Sequence, residues 1–294
     1  NPDAGIPEAL VNMARTFGSE QGGWLMSQDT GRDYQTEIES LMADGALPAG
    51  LDLAIGNGNA AGFATAAITT TATGAAISLA TRGAIRQAFD LRSAFLLTFG
   101  IWILTPLVGA LPLMTGAPSL GFTDAYFEAV SGITTTGSTV IFGLSDLPEG
   151  INLWRGMLNW LGGLGIAFIA MIFLPVMRVG GMQFFKTEGF DTMGKILPRA
   201  SDIAISLLGI YAGLTALCML VYRMIGMAPL DAVVHALATI ATGGFSPQDA
   251  SFNVYAGIGE YAGAFFMIVA AVPYVRYVQL ASGRGGALWH DPQV

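Results

Sequence analysis

Five stretches of this chain, Ala61 to Ala80, Ala94 to Met114, Trp154 to Met177, Ile203 to Ile225 and Tyr261 to Leu280, are about twenty residues long and carry at most one charged side chain each. At a rise of about 1.5 Å per residue, a helix of that length crosses a hydrocarbon core of about 30 Å. An apolar run so long and so poor in charge is read as a transmembrane helix. The composition agrees: 53% of the 294 residues are hydrophobic and 12% are charged, where a soluble chain carries about 25% charged residues. The sequence therefore predicts an all-α membrane protein with about five transmembrane helices.

The net charge of −8 is unevenly placed, because residues 1–50 hold 8 acidic and 2 basic side chains. This acidic segment shows weak helical periodicity and no pattern that points to a role. No basic excess exists anywhere in the chain, which excludes a nucleic-acid partner. The single cysteine, Cys218, lies in an apolar run and reads as a packed side chain. No Ser-His-Asp arrangement or phosphate-binding loop is present, so nothing suggests an enzyme or a bound cofactor.

Two further apolar segments, Thr123 to Ile133 and Pro229 to Ile240, are too short to cross. At membrane depth such segments read as re-entrant half-helices, tolerated only where protein or a water-filled cavity covers the loop that follows. Short cytoplasmic loops collect Lys and Arg. Arg82, Arg86 and Arg92 lie between the first two spans, Arg178, Lys186, Lys195 and Arg199 follow the third, and Arg276 and Arg284 lie at the end of the fifth, whereas Thr115 to Asn152 and Gly226 to Glu260 hold no basic residue. The half-helices and their loops are therefore expected to open to the outside. Arg155 and Arg223, at the outer ends of spans, are expected to snorkel to the interface.

Sliding the chain by about 106 residues lays Thr134-Thr135-Thr136-Gly137 on Ile240-Ala241-Thr242-Gly243 and lays the flanking spans on each other. The repeated unit is span, half-helix, filter loop, span. Two crossings per unit return the chain to its starting side, so the units share one orientation and enclose a common axis along the membrane normal. The implied organisation is an acidic segment at 1–50, a helix and cytoplasmic loop at 51–92, a first unit at 93–180, a cytoplasmic linker at 181–200 and a second unit at 201–294. A cation that sheds water must be offered oxygen in exchange, and an extended loop rich in glycine and threonine supplies backbone carbonyls and uncharged hydroxyls. The loop stretches VSGITTTGSTV, Val130 to Val140, and ATIATGGFS, Ala238 to Ser246, fit that demand.

The residues FTDAYFEAVSGITTTGSTV (Phe122 to Val140), WRGMLNWLGGLGI (Trp154 to Ile166) and HALATIATGGFS (His235 to Ser246) resemble the membrane-spanning subunits of the Trk/Ktr/HKT potassium transporter superfamily, and the resemblance extends over approximately Leu51 to Val294. It implies potassium uptake across the inner membrane through a filter to which four such units each give one loop. Thr134, Thr135, Thr136 and Gly137 would form the first filter strand and Ile240, Ala241, Thr242 and Gly243 the second, with K+ as the transported ion. It further implies a homodimer in the lipid bilayer and a cytoplasmic nucleotide-binding regulatory subunit. The chain departs from the family pattern in ending after the second unit and in lacking a hydrophobic span before Asn57. The alternative is a nonconducting fragment with at most a role in assembly.

Four other features have a structural and a functional reading. Asn159, Trp160, Gly162, Gly163 and Gly165 form a small-residue cluster that suits close packing or a direct contribution to the pathway. Glu128, inside the first half-helix, either bonds the backbone of a neighbouring loop or attracts cations. His235 lies in the second half-helix with no second His or Cys nearby and reads as structural. Pro106, Pro112, Pro175 and Pro273 read as kinks in spans.

Overall fold

The computed structural model describes residues 47–80, 91–168 and 200–281, and all regular structure among them is helical. A helical stretch at 47–55 precedes α1 (Ala60–Ala80), α2 (Leu91–Gly109), α3 (Leu111–Thr115), α4 (Phe122–Ile133), α5 (Glu149–Phe168), α6 (Ala200–Ile225), α7 (Pro229–Ile240), α8 (Ile258–Ala271) and α9 (Tyr274–Ala281). Short 3-10 turns at Leu144–Asp146 and Ser251–Tyr255 lead into α5 and α8. The expected linker at 181–200, apart from Ala200 at the start of α6, most of the acidic segment and the exit after 281 lie outside the described residues.

Of the five stretches read as spans, only Ile205–Ile225, within α6, gives among the described residues a helix long and apolar enough to cross a membrane by length and composition. α1 has the length, 21 residues, and carries no charged side chain. Its Thr65, Thr69, Thr70 and Thr73 hydroxyls each donate to the carbonyl four residues earlier at 2.8–2.9 Å, so the helix contains partners for its own polar groups. The second stretch is divided, since α2 stops at Gly109 and α3 restarts at Leu111 with Pro112 in its first turn. The third begins earlier than Trp154, at Glu149, and 169–177 is not described. The fifth breaks at Val272, whose extended backbone (φ −65°, ψ 133°) is what the following Pro273 demands.

The chain divides into two compact units. The first comprises Asn1–Ile133 and Ser138–Leu158. Its core is Phe63, Ala110, Leu113, Ala125, Ala129, Ile133, Ile151 and Leu158, and α4 contributes through alanine and glycine, which allow neighbouring helices close approach. Asp52 ties this unit together. It is fully buried and accepts hydrogen bonds from Asn57 Nδ2 (2.6 Å), Asn59 Nδ2 (2.9 Å) and the Gly150 amide (2.7 Å) in the first turn of α5. A carboxylate there meets the unpaired amides and positive end of α5.

The second unit comprises Thr134–Gly137 and Asn159–Val294. Leu207, Tyr211, Cys218 and Tyr222 make one buried stripe along α6 and pack with Ala232, Ala236 and Ile240 of α7 and Phe266 of α8. The opposite faces of α6 and α8 leave Leu217, Leu220, Met224, Tyr261, Phe265 and Ile268 more than half exposed. Apolar side chains on both sides of a helix suit burial in lipid or against further protein.

Candidate functional site

The two short helices, α4 and α7, are each 12 residues long and start 107 positions apart. Each carries an aspartate in its first turn, Asp124 and Asp231, near the positive end of the helix. Each is followed by two turn residues and then irregular chain. Thr135 takes φ +53° and Thr242 φ +52°, while Gly137 takes φ +78° and Gly244 φ +107°. After α7 the amide of Thr242 bonds the Thr239 carbonyl at 3.0 Å and that of Gly243 the Ala238 carbonyl at 2.9 Å. This is the pattern in which a left-handed residue terminates a helix, normally a glycine. A β-branched threonine there is a strained exception.

By backbone angle the two loops align at a spacing of 107 residues. Ile240 is the last residue of α7, is buried, and corresponds to Ile133. Thr134, Thr135, Thr136 and Gly137 correspond to Ala241, Thr242, Gly243 and Gly244. The sequence match paired the glycine of the first loop with Gly243 because two glycines stand side by side, and residue identity alone does not choose between them. Gly244, with its φ of +107°, is the glycine that matches the left-handed Gly137 in backbone.

All eight of these loop residues fall within the second unit, and their backbones meet. A Cβ on Gly137 would overlap the Gly243 carbonyl oxygen and lie 3.2 Å from Gly244 Cα. The hydroxyls of Thr134 and Thr136 are hydrogen-bonded to each other at 2.8 Å. Behind the second loop stands α5: a Cβ on Gly243 would come 2.5 Å from Asn159 Nδ2, and one on Gly163 would come 3.0 Å from Ala241 Cα and 2.6 Å from the Tyr211 hydroxyl. Tyr211 donates to the Trp160 carbonyl at 3.1 Å, and Trp160 Nε1 donates to Thr215 Oγ1 at 2.9 Å. The small-residue cluster of α5 thus supports a loop backbone as well as a helix.

Within the first unit, Glu128 of α4 is fully buried beside the chain that leaves the first loop. Its Oε1 accepts from Thr139 Oγ1 (2.8 Å) and its Oε2 from the Val140 amide (3.1 Å). Arg155 is fully buried too and pairs with Glu128 through Nε at 2.8 Å. Snorkelling, expected for Arg155, is thereby corrected: a carboxylate placed 27 residues away in sequence gives the guanidinium a partner in the interior. Arg223 remains exposed and its Nη1 donates to the Met227 carbonyl. Asn152 adds to the first cluster, accepting from Arg155 at 3.3 Å and donating to the Leu144 carbonyl at 2.7 Å.

His235 occupies the position of Glu128 in α7, 107 residues on. It is buried to 1% exposure, its ring centroid lies 4.4 Å from Phe252 and 6.2 Å from Tyr255, and its Nε2 has no hydrogen-bond partner among the described residues. Asp231 accepts from Tyr255 and from Gln248 at 3.1 Å. Burial, and after it the Asp231 carboxylate, push the Tyr255 phenol above its ordinary pKa.

Residues 60–284 match the family TrkH, cation transport protein. The chain is 46% identical over 202 residues to the Trk system potassium uptake protein TrkI of Halomonas elongata, covering 68% of this chain and 41% of that one. It is 42% identical over 229 residues to TrkH of the same organism, covering 76% and 47%, and 40% identical over 208 residues to TrkH of Escherichia coli strain K12, covering 69% and 43%. The crystal structure of the potassium transporter TrkH from Vibrio parahaemolyticus superposes with a TM-score of 0.74 at 31% identity, over 87% of this chain and 52% of that one. The chain belongs to the TrkH family of cation transport proteins. It spans less than half the length of these curated relatives and about half of the solved neighbour.

Proposed function

We infer that this chain forms part of the potassium pathway of a membrane transporter, with residues 134–137 and 241–244 as two strands of its selectivity filter. The observation that carries the reading is the paired strain of the loops: a left-handed threonine two residues before a left-handed glycine, after each of two equal short helices, with the loop backbones in contact. Strain of this kind costs about 1–3 kcal/mol per residue and persists where function requires it. Backbone carbonyls and threonine hydroxyls, which these loops supply, are the ligands a dehydrating K+ needs. The negative ends of α4 and α7 lie at the start of these loops and favour a cation there.

In this reading residues 93–180 and 201–294 are two parallel repeats, preceded by a helix and loop at 51–92 and joined by a cytoplasmic linker at 181–200, and α4 and α7 are re-entrant half-helices opening outward. The protein sits in the inner membrane, transports K+ without a further cofactor and acts as a homodimer with a cytoplasmic nucleotide-binding subunit. The relatives, named as potassium uptake proteins, support the ion and the process. The test is rubidium uptake by the full-length protein in proteoliposomes, with sodium as competitor. Gly137→Ser and Gly244→Ser are expected to abolish flux or lower discrimination against sodium. Unchanged flux and competition in both variants would reduce the loops to ordinary turns and overturn the reading.

A further inference from the structure

The four groups that hold the first loop change together at the corresponding positions of the second. Glu128 corresponds to His235, Thr139 to Ser246, Val140 to Pro247 and Arg155 to Ala262. The chemistry is coupled. Glu128 receives two protons from the first loop, one from the Thr139 hydroxyl and one from the Val140 amide. Pro247 has no amide proton to give, and Ser246 is turned into its own loop, donating to the Gln248 carbonyl and accepting from the Gln248 amide, both at 2.9 Å. A carboxylate in the place of His235 would have no amide to accept from and, with Ala262 in the place of Arg155, no countercharge. A neutral ring against Phe252, 4.4 Å away, fills that place instead.

We propose that Glu128, held by Arg155, is the positioning residue that sets ion discrimination at the first loop, fixing the chain at Thr139 and Val140 and through it the carbonyls up to Gly137. At the second loop the place of Glu128 is taken by an uncharged ring. This rests on the reading of the loops as filter strands. One residue, Ser138, separates Gly137 from Thr139, and Ser131 Oγ donates to its carbonyl at 2.6 Å. The chain leaving the first loop is therefore pinned at three successive residues from α4. A loop pinned in this way resists the relaxation that would let its carbonyls close around a smaller ion. The Glu128 contact is also the part of this arrangement that a substitution can weaken without altering the loop's own residues.

The experiment measures rubidium uptake and its inhibition by sodium for Glu128→Gln, Arg155→Gln and Thr139→Val in the full-length protein, normalised to purified protein. Thr139→Val, nearly isosteric, removes the bond to Glu128 and those that Thr139 Oγ1 accepts from the Ile141 amide and Arg155 Nη2, but leaves Glu128 and Arg155 paired with each other, and so keeps the test open if the other two fail to accumulate. The expected result is sodium competition stronger by about tenfold in the variants that fold, the equivalent of one hydrogen bond to a charged group. Wild-type sodium competition in all variants that fold, whatever their flux, overturns the proposal and leaves the pair a purely structural one. Gly137→Ser in the same assay separates the two levels. If it alters flux or competition while none of the three variants that fold changes sodium competition, only the role of Glu128 fails; if it too changes nothing, the filter reading falls with it.

Discussion

Asn159 and Gly243 offer a test of whether α5 positions the second loop. Gly243, unlike its neighbour Gly244, does not take a positive φ, so an alanine there meets no backbone penalty of the left-handed kind. What it meets is Asn159: the new Cβ would lie 2.5 Å from Nδ2 and 2.7 Å from Cγ. Asn159 is fully buried and has little room to withdraw. Overpacking of this kind costs about 1–3 kcal/mol, so Gly243→Ala is expected to lower the melting temperature of the purified protein and to reduce rubidium uptake. Asn159→Ala alone removes a buried amide and should cost about 1–3 kcal/mol through the groups it leaves unpaired. In the double variant the overlap disappears because the side chain that caused it is gone. The two effects should then be non-additive by about 0.5–3 kcal/mol in the rescuing direction. Gly244→Ala combined with Asn159→Ala should show no such rescue, since its penalty is the φ of +107°. Additive losses for the Gly243 pair would mean that α5 does not set this loop, and the account of the small-residue cluster would fail.

Two other outcomes follow from the same contacts. Gly163→Ala should destabilise the protein by about 1–3 kcal/mol, since its Cβ would lie 2.6 Å from the Tyr211 hydroxyl and 3.0 Å from Ala241 Cα, and Tyr211→Phe should recover part of the loss; melting curves in detergent decide this, and full additivity refutes it. Cysteines introduced at Ser145 and at Lys186 in a Cys218→Ala background should label from opposite sides of the membrane, Ser145 from outside, as the Lys and Arg asymmetry requires; labelling from one side would refute the orientation and the pore reading with it.

The short helices were legible in the sequence because each is an apolar segment closed by a threonine and glycine run, and the bounds Pro229–Ile240 agree with the reading at both ends. Span lengths were less legible, since hydropathy does not register the breaks at Ala110 and at Val272-Pro273, which depend on backbone geometry at single residues. The loop register was ambiguous at the adjacent pair Gly243-Gly244 and needed φ values to resolve. Asp52 was missed altogether: it is a single carboxylate in a short helical stretch, and its meaning lies in the Gly150 amide 98 residues away. Arg155 was misread for a related reason. A lone arginine near the end of an apolar run invites an interfacial reading until its carboxylate is found.

The ion pair is the point at which the two levels of this structure meet. Removing one partner from a buried pair costs about 3–5 kcal/mol, because it leaves an uncompensated charge, whereas replacing the whole pair with well-packed apolar groups is often neutral. Stability alone therefore gives little reason to bury Glu128 and Arg155 beside the first loop. The second unit shows the alternative in the same chain, a buried neutral ring among aromatic side chains at the corresponding place. What the carboxylate adds over that arrangement is direction: it binds a particular amide and a particular hydroxyl of the departing strand, while tilted and edge-on rings constrain volume and leave backbone orientation freer. The charged arrangement stands at the loop whose exit chain still carries an amide, Val140, and the neutral one at the loop where Pro247 has removed it.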